Sequence, residues 1–195
     1  MTDAFSREFL KFEVKETDEG KGYWLDQPWV DAAQRAALLK AQVLAVPHVS
    51  YGSEGPVFPV GSEAFLARFR EALGADGSLG IAIRSADYRE LALHSKAWRL
   101  PTLFVSSIAV PLVINILAAR MDALLPGHAT GDTAEITLIV EGPNHKTLKV
   151  HFKGDPKDLG DFLKRAVPRF VDELDTAPAS PHQAHPRTRL PASKS

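Results

Sequence analysis

The chain has 195 residues, 45% of them hydrophobic and 24% charged, a composition typical of a globular protein with a core. Its formal net charge of −1 argues against a global attraction to nucleic acid or anionic lipid. The absence of cysteine excludes disulfides, thiolate metal sites and cysteine nucleophiles. The N-terminal residues do not show the basic segment and apolar run that predict a secretory signal.

The first elements follow from alternation and from helix-start signals. Residues 10–15 alternate between apolar and charged side chains, which predicts a strand. Asp26 and Pro28 form a cap-and-proline pair, so the Ala-rich segment 29–41 is predicted to be a helix. The segment 49–61 is rich in glycine, proline and serine, which predicts a loop.

A second helix is predicted to start at Ser62, its cap residue, and to stop at Gly74. Its apolar positions Phe65, Phe69 and Leu73 recur every four residues and therefore share one face. Short apolar or alternating runs predict further strands at 43–46, 79–83 and 90–95.

The segment 101–119 contains nineteen residues without a charge. Its length and hydropathy fit either a helix buried on all sides of a protein core or a single membrane span. Ser106, Ser107, Pro111 and Asn115 interrupt it, and no tryptophan or tyrosine marks its far end. We therefore expect a buried central helix, with a membrane-anchored protein as the alternative.

The C-terminal part predicts a ββα unit. Residues 135–141 and 146–153 alternate, with a Gly-Pro-Asn turn between them, and an apolar helical stripe runs from Leu159 to Leu174. Asp155 and Pro156 mark the start of this helix, and Pro168 is expected to kink it. The sequence therefore predicts an α+β fold: a mixed or antiparallel sheet, a long central apolar helix and this closing unit.

The domain prediction is one α+β domain over residues 1–175, followed by a tail. Residues 176–195 contain four prolines, one large apolar residue and no acidic residue. Such a segment buries too little surface to offset its ordering entropy, so we predict a disordered, basic tail.

Several chemistries lack a complete motif. The seven histidines show no metal-binding spacing, and the closest pair, His182 and His185, lies in the tail. The glycines around Ser53 are one residue too close for a nucleophile elbow, and no phosphate-binding loop occurs. The sequence predicts no metal, no cofactor and no nucleic-acid partner.

One acid–base hypothesis remains open. Asp87, Glu90 and His94 follow one another closely and would form a dispersed enzymatic site if they met near one turn. The simpler interpretation is an amphipathic strand, with Glu90 and His94 on its wet face. We favour the second interpretation.

Four aromatic residues crowd the first third of the chain: Trp24, Trp29, Tyr51 and Phe58. They are candidate residues for a binding surface beside the long loop, although aromatic residues in such a position are more often part of a satellite core. The leading function hypothesis is a non-enzymatic interaction module, such as an adaptor, sensor or accessory subunit, that contacts a protein partner. The Ala- and Arg-rich composition is typical of a GC-rich bacterial genome, so we expect a cytoplasmic bacterial protein whose partner is encoded by a neighbouring gene.

Overall fold

A mixed β-sheet with helices on both faces organises the chain. The computed structural model describes residues 11–49, 55–92, 97–127, 132–142, 145–156 and 158–165. The strands are β1 (Lys11–Thr17), β2 (Val43–Val46), β3 (His48–Val49), β4 (Pro56–Pro59), β5 (Leu79–Ile81), β6 (Glu90–Leu91), β7 (Ala97–Arg99), β8 (Thr102–Ser106), β9 (Thr133–Glu141) and β10 (Thr147–Gly154). The helices are α1 (Lys21–Leu25), α2 (Ala32–Lys40), α3 (Ser62–Leu73), α4 (Val110–Leu124) and α5, described over 158–165.

The main sheet has the strand order β1-β10-β9-β8-β2-β5, and β7 continues the line of β8 along β9. Pairs β1·β10, β10·β9 and β2·β8 are antiparallel, whereas β8·β9, β7·β9 and β2·β5 are parallel. A small second sheet has the order β3-β4-β6. The predicted α+β class with a mixed sheet is therefore confirmed.

The C-terminal unit has the predicted register. In the β9–β10 hairpin, Leu148 lies opposite Val140, Val150 opposite Leu138 and Phe152 opposite Ile136, so the alternating apolar residues share one face. Helix α5 covers this face, with Leu159 and Leu163 fully buried. The predicted kink at Pro168 and the predicted tail lie outside the described residues.

The first face of the sheet carries the larger core. Helices α3, α4 and α5 cover it, and their buried residues form one cluster with the strands. Phe65, Phe69 and Leu73 of α3 are each at most 2% exposed, as their four-residue spacing predicts. Gly160 brings α5 against α4, because a Cβ atom there would lie 2.8 Å from the Cα atom of Ala118.

The second face is covered over only half its width. Helices α1 and α2 bury Leu44, Val46, Phe104 and Ile139, which belong to β2, β8 and β9. Toward β10 and β1 the same face is lined by polar side chains. The molecule thus has one fully apolar face and one divided face.

The segment 101–119 is the main correction to the sequence prediction. Its first part is the buried central strand β8, and its last ten residues begin helix α4. Pro101 precedes the strand and Pro111 lies in the first turn of the helix, where its missing N–H costs no hydrogen bond. Hydropathy alone did not separate the two parts because a central strand and a buried helix are equally apolar.

Helix α4 is not buried on all sides. Val113 and Leu117 are at most 1% exposed, whereas Asn115 and Asp122 lie on its solvent-facing side. The stretch Ser107–Leu124 has a mean hydropathy of 1.6, and by length and composition it would suffice to cross a membrane. In the fold, 44% of this stretch is buried. In the described fold, this stretch packs on the first face of the sheet.

Two predicted element starts also differ. The long helix begins after Asp31, whose carboxylate accepts a hydrogen bond from the Ala33 N–H, and not at Asp26. Ser62 is the first helical residue of α3 and not its N-cap, and its hydroxyl donates a hydrogen bond to the Pro59 carbonyl at 2.6 Å. The N-cap residue of α3 is Gly61, whose φ is 87°. The predicted loop over 49–61 contains strand β4, and the predicted strand over 90–95 is described only as the two residues of β6.

Candidate functional site

A surface cavity of about 250 Å³ lies where the loop between α1 and α2 meets β4 and the segment before β6. Its lining residues are Pro28, Trp29, Pro56, Arg84, Asp87 and Arg89. One aromatic ring and two proline rings supply apolar surface, and three charged side chains supply polar groups. This combination of apolar surface and a few placed polar groups is the usual chemistry of a binding site.

Backbone hydrogen bonds position the lining residues. The Arg84 N–H donates to the Trp29 carbonyl at 3.0 Å, which ties the aromatic loop to the segment that follows β5. The Phe58 N–H donates to the Arg89 carbonyl at 2.8 Å, which ties β4 to the same segment. The cavity walls are therefore connected through the backbone, and their side chains project from anchored positions.

The cavity carries an excess of positive charge. Arg84 contacts the Asp87 carboxylate through both Nε and Nη2 at 2.5 Å, across a short 3₁₀ turn at Ser85–Asp87. Arg89 adds a second guanidinium to the lining. The indole Nε1 of Trp29 is buried and has no hydrogen-bond partner in the described part of the chain.

The four aromatics predicted to form a surface occupy different places. Trp29 lines the cavity, and Phe58 is 1% exposed and stacks on Tyr88 with ring centroids 5.0 Å apart. Trp24 is 6% exposed and belongs to the core on the second face. Tyr51 lies outside the described residues. Trp24, Trp29 and Phe58 thus do not line one surface, and of these three Trp29 lines the cavity.

The residues of the acid–base hypothesis have structural contacts. Asp87 pairs with Arg84, whereas the Glu90 carboxylate accepts hydrogen bonds from the Gly61 and Glu63 N–H groups at 2.8 and 2.6 Å and so caps α3. The Tyr88 hydroxyl donates to Glu90 at 3.0 Å. Burial first, and then this hydrogen bond to Glu90, raise the pKa of Tyr88 well above its ordinary value. His94 lies outside the described residues.

A second polar cluster crosses the open half of the second sheet face. His48 Nε2 lies 3.3 Å from the Thr102 hydroxyl, and His151 Nδ1 lies 3.1 Å from the Thr137 hydroxyl. Thr102 and Thr137 occupy facing positions on β8 and β9, since Leu103 pairs with Leu138. Glu13 of β1 pairs with His151 and ends the row. We call these five residues the histidine–threonine row.

Charged side chains surround the row. Glu135 lies 3.4 Å from Arg99, 3.7 Å from His151 and 3.8 Å from Lys153. The His48 ring has a lowered pKa, chiefly because of desolvation and then because of the positive charges of Lys149 and Arg99, which outweigh the opposite effect of Glu135. This environment favours the neutral imidazole at His48.

Glu135, which lies beside the row, and His151 and Thr137 within it follow the order of a carboxylate–imidazole–hydroxyl relay, but their geometry is that of a structural network. Thr137 is 8% exposed, and the 3.7 Å between Glu135 and His151 exceeds a hydrogen bond. The threonine hydroxyls are satisfied by the histidines, which lets the sheet bury polar groups at its centre. Alternation placed His151 on a wet face, but the pairing with Thr137 needed the β9–β10 register.

Metal ligation has no geometric support in the described part of the chain, where no group of three or more histidine or acidic residues converges. The sequence matches no protein-family model, and no curated protein or solved structure is significantly similar to it.

Proposed function

We propose that this chain is a non-enzymatic interaction module, an adaptor, sensor or accessory subunit, that contacts a protein partner through the Trp29 cavity. The observation that carries the proposal is the lining: one aromatic ring and two proline rings beside two arginines and one aspartate. The partner chemistry that fits is an extended segment with an acidic side chain or a terminal carboxylate.

Physical complementarity supports this choice of partner. Guanidinium groups bind carboxylates through charge-assisted, often bidentate hydrogen bonds, and Arg84 already holds the carboxylate of Asp87 in this way. A partner carboxylate would meet the guanidinium groups of the same cavity. The rings of Trp29 and the two prolines would pack against the aliphatic part of the same segment.

The test uses Trp29 as its own reporter. The chain has three tryptophans, so Trp24→Phe combined with Trp98→Phe leaves Trp29 as the sole indole. Defined twelve-residue peptides, matched in length and differing in acidic content and in a free or amidated terminus, are titrated while indole emission is recorded. We expect acidic peptides to shift the emission and neutral ones to leave it unchanged.

A matched pair of double variants separates the cavity from general electrostatics. Arg84→Gln/Arg89→Gln removes two cavity charges and should weaken acidic-peptide binding by at least about tenfold, since hydrogen bonds to charged groups contribute roughly 1.5 kcal/mol or more. Arg68→Gln/Arg70→Gln removes the same charge from the solvent-facing side of α3 and should leave binding unchanged. Equal weakening by both pairs, or no response of Trp29 to any peptide, would argue against the proposal.

Membrane attachment through residues 101–119 is the second candidate, and its support is the length and hydropathy of Ser107–Leu124. We favour a cytoplasmic location, because Asn115 and Asp122 lie on the solvent-facing side of α4 and would need partners in lipid. Fractionation of cells expressing the full chain tests this choice. We expect recovery in the soluble fraction; a membrane pellet that resists carbonate and dissolves in detergent would select the membrane alternative.

A further inference from the structure

Strand β1 forms one edge of the main sheet. It pairs with β10 over all seven of its residues, and within the described part of the chain no strand pairs with its other side. The backbone N–H and C=O groups on that side are a template for an additional strand. The occupant of this edge can be inferred from the side chains of β1.

The two residues that flank Val14, the middle residue of β1, carry opposite charges. Glu13 and Lys15 lie on the second face of the sheet, form an ion pair with each other at 2.5 Å, and expose 55% and 66% of their side chains. If β1 paired antiparallel with β1 of a second copy, centred on Val14, all seven residues would find a partner. Glu13 would then lie opposite Lys15 of the second copy, and Lys15 opposite Glu13 of the second copy.

The charges also specify this register against its neighbours. The nearest registers that keep the helices of both copies on the same side are shifted by two residues in either direction, and they centre the pairing on residue 13 or 15. Glu13 would then face Glu13 of the second copy, or Lys15 would face Lys15 of the second copy. Opposite charges directly across a strand pair stabilise it, and like charges destabilise it. The centred register therefore has the longest pairing and two favourable charge pairs.

The apolar side of β1 fits the same arrangement. Val14 packs against the first-face core, and the ring of Phe12, 38% exposed, contacts Phe162 of α5 at a centroid distance of 4.5 Å. In the centred register Val14 would contact Val14 of the second copy, and Phe12 of each copy would lie two pairs away, opposite Glu16 of the other copy. The helical layer would continue from one copy to the next.

We propose that β1 is a homodimerisation edge: two copies pair antiparallel through β1 about Val14, joining their main sheets into one. This inference is independent of the Trp29 cavity, which lies on other elements. It predicts a dimer of twice the 21.3 kDa chain mass in solution. Sedimentation equilibrium of the full chain measures its dissociation constant.

Charge exchange is the decisive test. Glu13→Lys alone and Lys15→Glu alone each turn two opposite-charge pairs into like-charge pairs, so each should raise the dissociation constant at least about tenfold. The double variant Glu13→Lys/Lys15→Glu restores both pairs with the charges exchanged and should recover the dimer. An equimolar mixture of the two single variants should form a heterodimer, because lysines of one chain then face glutamates of the other.

Cysteine cross-linking tests the register itself, since the natural chain contains no cysteine. Val14→Cys should form an intermolecular disulfide on mild oxidation, because directly opposed residues have Cα atoms about 4.5–5.5 Å apart. Thr17→Cys should not, because in this register it lies about 20 Å from its own copy. A chain that stays monomeric at all concentrations, a dimer insensitive to the single charge variants, or equal cross-linking of both cysteine variants would each overturn the proposal.

Discussion

The two faces of the main sheet bury their side chains by different means. On the first face, three helices cover every strand from β1 to β2, and the side chains between them are apolar. On the second face, two helices cover β2 and parts of β8 and β9, while Thr102 of β8 and Thr137 of β9 are buried with their hydroxyls against histidines. Apolar burial needs a covering layer, whereas a threonine needs only a hydrogen-bond partner to be buried.

The two faces differ in how well they should tolerate substitution. The first face holds α3, α4 and α5 through many interlocked side chains, so changes there should unfold the protein. The second face leaves room for exposed polar groups, including Glu13 and Lys15 at the sheet edge. Trp29 of the cavity and Val14 of β1 are partly buried residues that pack against the first-face core.

A charge in the first-face core should have the largest effect. Val113 of α4 is 1% exposed, so Val113→Asp would bury an unpaired carboxylate and should lower the free energy of unfolding by roughly 4 kcal/mol or more. We expect an unfolded chain in urea titrations followed by circular dichroism. Asn115→Asp puts the same charge two residues away on the solvent-facing side and should change stability little. A stable Val113→Asp variant would show that α4 is not a core helix.

Matched leucine truncations compare the two faces directly. Leu103 faces the first core and Leu44 the second, and both are fully buried. Leu103→Ala should cost roughly 3–5 kcal/mol, since three surrounding helices limit relaxation into the cavity. Leu44→Ala should cost roughly 2–3 kcal/mol, because the thinner layer of α1 and α2 can move inward. Chemical unfolding measures both, and an equal or reversed order would contradict the proposed difference between the faces.

A smaller effect is expected where two helices touch. At Gly160 a Cβ atom would meet the Ala118 backbone at 2.8 Å, so Gly160→Ala should separate α5 from α4 and cost roughly 1–3 kcal/mol. The control is Gly22→Ala in α1, where no atom lies within 4 Å of the added Cβ, and alanine favours the helix. Thermal unfolding of both variants distinguishes the loss of the α5–α4 contact from the general effect of replacing a glycine by alanine. A Gly160→Ala variant as stable as the natural chain would contradict the close contact between Gly160 and Ala118.

The smallest effect concerns the histidine–threonine row and pH. Because the folded chain lowers the pKa of His48 below its ordinary 6.5, the unfolded chain binds a proton first. The contribution of neutral His48 is therefore intact above pH 6.5 and is lost as the pH falls below it. His48→Asn should lose less stability than the natural chain between about pH 7.5 and about pH 5. Urea midpoints at both pH values test this, and an unchanged difference between the two proteins would exclude His48 as the cause.

Local patterns in the sequence determined the elements whose partners are close along the chain. Alternation on both sides of a turn specified the faces of β9 and β10, because the side chains of a strand alternate with a period of two. The four-residue spacing of Phe65, Phe69 and Leu73 specified the buried stripe of α3, because residues four positions apart lie on the same face of a helix.

The cavity was only partly predictable. Trp29 could be singled out as an aromatic residue in a loop, but the sequence could not show that Arg84 and Arg89 share its cavity. Trp24, only five residues earlier, is buried in the core of the opposite sheet face. Composition shows which residue types are near in sequence, whereas the path of the loop decides which surface each one reaches.

Tertiary structure alone decided the features that join distant segments. The segment 101–119 became a strand followed by a helix because β2 and β9 supply hydrogen bonds on both sides of β8, and hydropathy does not record such partners. Glu90 caps α3 from 27 residues away, and Thr102 meets His48 across 54 residues. The sequence by itself therefore determined the periodic elements, and packing decided strand order, cap partners and the cavity, because those depend on contacts between residues that no local pattern links.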